Sequence, residues 1–215
     1  MNALEENAEM REAIGRVLDQ LGTTTKAAES LVAYAALVQE WNQRLNLTGA
    51  DGAGDLADVL VADSAALATL TEPMNVASLL DVGSGAGSPA LPYALLKPTV
   101  RATLVEPLRK RVTFLRLAVG SLGLAERVRV LESNIDVESP SVPGAPFDFA
   151  ISRATFAPEV WLGVGLKLAA HVAVFTREDA PAAPPGTRVV ASHDYALPFA
   201  GSPRCITIFA REASR

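Results

Sequence analysis

Apolar residues recur at helical spacing from the N-terminus, where Leu4, Ala8, Ile14, Val17, Leu18 and Leu21 fall on one face of residues 4–21. Gly22 stops that segment, and the Thr23-Thr24-Thr25 run offers an N-cap for the next. Residues 26–45 repeat the pattern through Leu31, Tyr34, Ala35, Val38, Trp41 and Leu45. The turn-rich run 48–54 closes it, and Asp55 to Leu70 predicts a third helix. Nothing in this region has the short β-branched runs of a strand, so residues 1–72 are expected to form a helical cap.

The pattern changes after Pro73. Leu79-Leu80-Asp81-Val82 is a short apolar run closing on Gly83, as in a strand buried on both faces. A helix is predicted from about Pro89 to Leu96, then a strand over Ala102–Glu106, a helix over Leu108–Leu122 and a strand over Val128–Leu131. Phe147–Ile151 predicts a fourth strand, Pro158–Leu168 a helix and Val172–Phe175 a fifth strand. Arg188–Val190 and Ile206–Phe209 predict a closing antiparallel pair beyond a Pro/Ala loop. Such alternation implies an α/β fold of Rossmann-like type over residues 73–215, its largely parallel sheet covered on both faces.

Chemistry enters at Asp81-Val82-Gly83-Ser84-Gly85-Ala86-Gly87. A glycine turn between a first strand and its helix lets the backbone approach a ligand closely and aims helix N–H groups at it. Glu106 ends the second strand, 19 residues after Gly87, where an acid accepts hydrogen bonds from both hydroxyls of a ribose. Strand, loop, helix and acid together imply a nucleoside site. The dinucleotide fingerprint needs a third glycine where Ser88 stands, and a Walker lysine is missing. Gly-x-Gly-x-Gly with an acid two positions before it points instead to S-adenosyl-L-methionine. Neither an Asp/Asn-Pro-Pro-aromatic turn nor a cysteine near the loop is present, since Cys205 falls in the last apolar strand. No lysine–aspartate constellation announces a ribose methylase, which stays open beside a target with an exposed lone pair, a chemistry that needs approach and alignment only.

Composition narrows the setting. With 49% hydrophobic residues and 20% charged among 215, the chain can build a full core. No stretch nears the roughly 20 apolar residues that span a bilayer. The acidic N-terminus does not resemble a signal peptide. One cysteine and two histidines (His171 and His193) make a metal site improbable, and a cytoplasmic location is expected. The net charge of −5 hides an asymmetry: residues 1–72 sum to −8, whereas residues 97–129 sum to +6. That basic segment, with Arg109, Lys110, Arg111 and Arg116, is either a solvated helix face or a patch that meets phosphate.

At this point the residues resemble a family, the bacterial small-subunit ribosomal RNA guanine-N7 methyltransferases, also called glucose-inhibited division protein B. The similarity runs through Trp41–Thr48, Asp63-Ser64, Leu80–Gly87, Lys110–Arg116, Ser152-Arg153-Ala154 and Arg204, in order. The resemblance implies a class I S-adenosylmethionine-dependent methyltransferase sheet and transfer to a guanine N7 of 16S ribosomal RNA. It implies cofactor contacts from Gly83, Gly85, Ser88, Ile135, Asp136 and Arg153, and ribose binding by Glu106. It places Arg153 at the mouth shared by cofactor and target, with Asn46 and Arg204 toward the RNA. Departures from the family pattern are Leu60 for a histidine, Ser88-Pro89-Ala90 for Phe-Pro-Gly, Asn134 and Asp136 for an Arg-x-Glu, and Arg177-Glu178 for a Lys-Gly. A divergent paralogue acting on another RNA or a small molecule, or a cofactor-binding ribosome-associated protein without catalysis, is the alternative.

Overall fold

The computed structural model describes residues 3–177 and 179–212. Glu178 and the side chain of Leu4, both used above, lie outside the described residues. The N-terminal third is helical: α1 (Ala3–Gln20), α2 (Ala28–Leu45), α3 (Gly52–Ala57) and α4 (Asp63–Leu70). The Thr25 hydroxyl accepts from the Ala27 amide at 2.9 Å, just ahead of α2. Where one helix is predicted over 55–70, helical backbone starts at Gly52 and widens into a π-type turn at Asp58–Ala62. Apolar spacing cannot announce that widening. It is stabilised by distant donors on the Val59 and Leu60 carbonyls, described below.

Alternation then follows as the hydrophobic runs predict, through β1 (Ser78–Val82), α5 (Ala90–Leu96), β2 (Arg101–Glu106), α6 (Arg109–Ser121) and β3 (Val128–Glu132). The remaining elements are β4 (Phe147–Ile151), α7 (Pro158–Leu168), β5 (Ala169–Thr176), β6 (Thr187–Ala196) and β7 (Pro203–Arg211). The sheet order is β3-β2-β1-β4-β5-β7-β6. Strands β1 to β5 pair in parallel, while β7 inserts antiparallel between β5 and β6. β6 is far longer than its short apolar run suggests. It is an edge strand with one partner, so its residues alternate in exposure and carry little hydrophobic signal.

Successive strand residues face opposite layers. Leu79 joins a cluster with Ile14, Tyr34, Leu60, Phe114 and Ile208, whereas Leu80 joins Val105, Trp161, Leu162 and Phe209 on the other face. The N-terminal helices therefore share one core with the sheet. Trp161, 2% exposed, donates its indole N–H to the Ala173 carbonyl at 2.9 Å, which fixes α7 to β5.

Polar ties then set the helical layer over the carboxyl ends of the strands. Tyr34 donates to the Ala86 carbonyl at 2.9 Å, and Ser64 donates to the Pro89 carbonyl at 3.0 Å. The buried Asp58 carboxylate accepts from the amides of Phe199 and Ala200, fastening the β6–β7 hairpin tip to the π-type turn. Gly54 makes room for that tip, since a Cβ there would lie 2.7 Å from the Phe199 ring. Arg16 stacks 4.6 Å from the same ring and donates to the Pro198 carbonyl. Because Tyr34 is fully buried and its hydroxyl answers a loop carbonyl, Tyr34→Phe is expected to cost about 1–2 kcal/mol in urea unfolding at unchanged secondary structure.

Candidate active site

The glycine loop leaves β1 with three residues that only glycine occupies readily: Gly83 at φ +75°, Gly85 at φ +54° and Gly87 at φ +93°. A Cβ on Gly83 would strike the Thr155 side chain, and one on Gly87 would strike Leu91. At Gly85 the nearest atom would be a carbonyl oxygen 3.9 Å away, so the loop backbone there borders open space. That space is a cavity of about 260 Å³ lined by Gly83, Ser84, Gly85 and Ser88 from the loop, Leu47 and Thr48 after α2, Val59 and Leu60, Arg111, and Arg153 to Thr155.

A second cavity of about 350 Å³ opens on the other side of Arg153. It is lined by Asp58, Val59 and Asp63 from the helical layer, Phe175, Thr176 and Arg177 at the end of β5, and Leu197 and Arg204 from the hairpin. Val59, Arg153 and Ala154 belong to both linings and form the wall between them. Ala154 takes φ +57°, a left-handed conformation uncommon for a side-chain-bearing residue.

Arg153 is held by two hydrogen bonds on one side. Its Nη1 donates to Asp63 Oδ2 at 2.8 Å and to the Val59 carbonyl at 2.7 Å. Asp63 Oδ1 in turn accepts from the Tyr195 hydroxyl at 2.5 Å. Burial by itself lowers the Arg153 pKa, but the charge and hydrogen bond of Asp63 outweigh it and raise the value, so the guanidinium stays charged. Burial, then the Asp63 charge, push the Tyr195 phenol up, so it remains a donor.

The sequence-derived residues divide into groups. Gly83, Gly85, Ser88 and Arg153 line the glycine-loop cavity together, and Arg204 lines the second cavity beside Arg153. The Ser88 hydroxyl donates to the Leu60 carbonyl at 2.9 Å, which leaves its lone pairs for a ligand. Glu106 is 2% exposed, and its carboxylate accepts from the Gly85 amide at 2.9 Å and the Leu108 amide at 3.0 Å. It therefore braces the loop. Ile135 and Asp136 follow β3 on the same edge but outside both linings, and Asp136 Oδ1 accepts from its own turn at Glu138 and Ser139. Asn46 is not brought in: it caps α2 in a left-handed conformation (φ 50°, ψ 58°), with its amide on the Asn42 carbonyl. Asp58, Tyr195, Phe175 and Thr155 carried no local signal, because their roles arise from partners far away in the chain.

Of the basic segment, Arg111 is drawn into the loop cavity, while Arg109, Lys110 and Arg116 are exposed and make no side-chain ion pair among the described residues. Lys97, Arg101, Arg127 and Arg129 are tied to Glu72 or to backbone carbonyls. Fewer exposed cations without an ion pair are therefore present, among the described residues, than the count over residues 97–129 suggests. Among the described residues, no group of His, Cys, Asp or Glu is placed to hold a metal ion, and no helix is long and apolar enough to cross a membrane.

A nucleoside with a nearby positive charge fits this site on two observations. The loop offers a cradle at Gly85 that a Cβ would fill, and Asp81 Oδ2, at the end of β1, is buried with no hydrogen-bond partner. Burial pushes the Asp81 carboxyl up to about 7, although Asp81 itself lines neither cavity.

Residues 27–172 match the family described as rRNA small subunit methyltransferase G. The chain belongs to this family. Ribosomal RNA small subunit methyltransferase G of Myxococcus xanthus is 32% identical over 96% of this chain and 100% of its own length. The Aromatoleum aromaticum protein of the same name is 34% identical over 84% of this chain and 88% of its own. Among solved structures, an O-methyltransferase from Bacillus cereus in complex with SAH superposes with a TM-score of 0.62 at 18% identity, covering 83% of this chain and 91% of that one. An O-methyltransferase of tomaymycin synthesis from Streptomyces achromogenes, in complex with SAM, gives 0.58 at 19%, covering 86% and 90%. At these identities the likeness is one of fold.

For a methyltransferase G fold, a buried acid at the end of β1 has a consequence for stability. The native state holds a proton on Asp81 up to about pH 7, whereas the unfolded chain releases it near 4. Between those values the native state binds more protons, so this group makes stability fall as pH rises. Urea unfolding across the window should show a shallower fall for Asp81→Asn than for the parent.

Proposed function

We propose that this chain transfers a methyl group from S-adenosylmethionine to N7 of a guanine in 16S ribosomal RNA. The observation that carries the reading is the shared wall at Arg153, which divides a glycine-loop cavity from a cationic second cavity in a chain of this family. Gly83, Gly85 and Ser88 would hold the nucleoside, with Glu106 toward its ribose, Ile135 and Asp136 toward its base, and Asp81 toward its positive charge. Bound S-adenosylmethionine supplies an electrophilic methyl carbon on a sulfonium.

The chain's own part is to bind, align and exclude water. Guanine N7 has a lone pair and no proton, so its attack forms one carbon–nitrogen bond, breaks one carbon–sulfur bond and needs no base. The site agrees with that chemistry, since the Asp63 carboxylate is taken up by Arg153 and Tyr195 and that of Glu106 by two amides. Arg153 and Arg204 present guanidinium groups to the second cavity, suited to a phosphate or to the acceptor edge of guanine. Asn46, beside the cavity-lining Leu47 and Thr48, is assigned to the RNA side. Arg109, Lys110 and Arg116 on α6 provide the exposed charge for the RNA backbone, in keeping with a cytoplasmic ribosomal substrate.

Two measurements test this. Labelled S-adenosylmethionine is incubated with small subunits, and with their deproteinised RNA, from cells lacking the guanine-N7 enzyme. Incorporation at a single guanine is expected, and Arg153→Ala should lower it by about a hundredfold, in line with removing one preorganised charged donor. Incorporation elsewhere, or none from a protein that binds the cofactor, counts against the assignment. Replacing Arg109, Lys110 and Arg116 with Gln should reduce the slope of log affinity for RNA against log salt by about 2–3. An unchanged slope would remove α6 from the RNA surface.

A further inference from the structure

Asp63 is 4% exposed and carries a charge that two partners share between its two oxygens. The Arg153 guanidinium takes Oδ2. The partner on Oδ1 is Tyr195, 132 positions further along the chain, on an edge strand otherwise remote from the glycine loop. Leu60, one helical turn before Asp63, is hydrocarbon and buried, and the Ser64 hydroxyl is spent on the Pro89 carbonyl. Among the described residues, Tyr195 is therefore the one side-chain hydroxyl on this carboxylate.

We propose that Tyr195 is a positioning residue for methyl transfer: its hydroxyl locks the Asp63 carboxylate, and the locked carboxylate fixes the plane in which Arg153 faces the two cavities. This rests on the reading of Arg153 given above. A carboxylate gripped at one oxygen can swing about its Cβ–Cγ bond, and a guanidinium paired with it swings too. Gripped at both oxygens, it cannot. The ring that carries the hydroxyl is itself immobilised, packed against the main core cluster and stacked on His193 with centroids 5.7 Å apart. Tyr195 also pairs in register with Arg204 on β7. One strand pairing thus sets two of the three guanidinium groups that line the second cavity, Arg204 directly and Arg153 through Asp63. The Asp58 carboxylate on the hairpin amides keeps that pairing seated on the helical layer.

Tyr195→Phe removes the hydroxyl and leaves the ring in place. Single-turnover methyl transfer to small subunits is measured for Tyr195→Phe, Arg153→Lys and the double variant, with cofactor affinity and unfolding midpoint followed alongside. Tyr195→Phe should slow transfer by about tenfold, the scale of one lost hydrogen bond to a charged group, with near-parental cofactor affinity. On the Arg153→Lys background, where there is no planar guanidinium left to orient, the same change should cost less than about twofold. An equal factor on both backgrounds, or no slowing in the parent, overturns the inference and leaves the methyltransferase reading intact. Wild-type transfer by Arg153→Ala would instead remove the reading of Arg153, and this inference with it.

Discussion

A guanidinium withdrawn from bulk water must be answered by a negative charge and by acceptors for its N–H groups, and much of this structure is arranged around that requirement at Arg153. Asp63 supplies the charge, and the Val59 carbonyl, in the π-type turn, supplies a further acceptor. The same turn offers the Leu60 carbonyl to Ser88. One widened helical turn therefore joins the arginine after β4 to the residue that ends the glycine loop. An α-helix of ordinary pitch keeps its carbonyls on its own amides, and a π-type turn is where such acceptors are released to side chains.

The glycine loop depends on the same principle in a different form. Its backbone cannot be held by side chains of its own, because it has almost none. It is held instead by Glu106, which accepts the Gly85 amide, and by Tyr34, which donates to the Ala86 carbonyl. The first comes from the neighbouring strand and the second from the N-terminal helices. A loop shaped by glycines is thereby made rigid from two directions while its inner surface stays bare. Asp81 Oδ2, on the strand that leads into the loop, is the one buried side-chain polar atom, among the described residues, without a hydrogen-bond partner.

The π-type turn also explains why the family departures need not dismantle the site. Leu60 stands in the buried core and contributes through its backbone carbonyl, not its side chain. Ser88 keeps a hydroxyl where bulk is usual, and that hydroxyl holds the helical layer. Arg177 still brings a cation to the second cavity. The chain is therefore a diverged member whose polar skeleton is continuous, with the C-terminal hairpin drawn in to complete it.

Legibility in the sequence followed the range of the interaction. The strands β1, β2, β4 and β5 and helices α5 to α7 were readable because each buries an apolar run or face, and burial writes itself into neighbouring residues; β3, with one buried residue, was readable from its alternating Val128 and Val130. The loop was readable because Gly83, Gly85 and Gly87 satisfy local backbone angles, and Glu106 because its spacing follows from one crossover. Edge strand β6 was legible over three residues of its ten, since a strand with one partner has little apolar surface to show. The π-type turn left no mark in the pattern, whereas Asn46, just before the turn-rich run, has the local context of the left-handed cap that it forms. The chain's local sequence determined the layers, the loop and the family. Only the tertiary structure decided that Asp63, Tyr195 and Arg153 meet, because a hydrogen bond between residues 132 positions apart constrains neither neighbourhood.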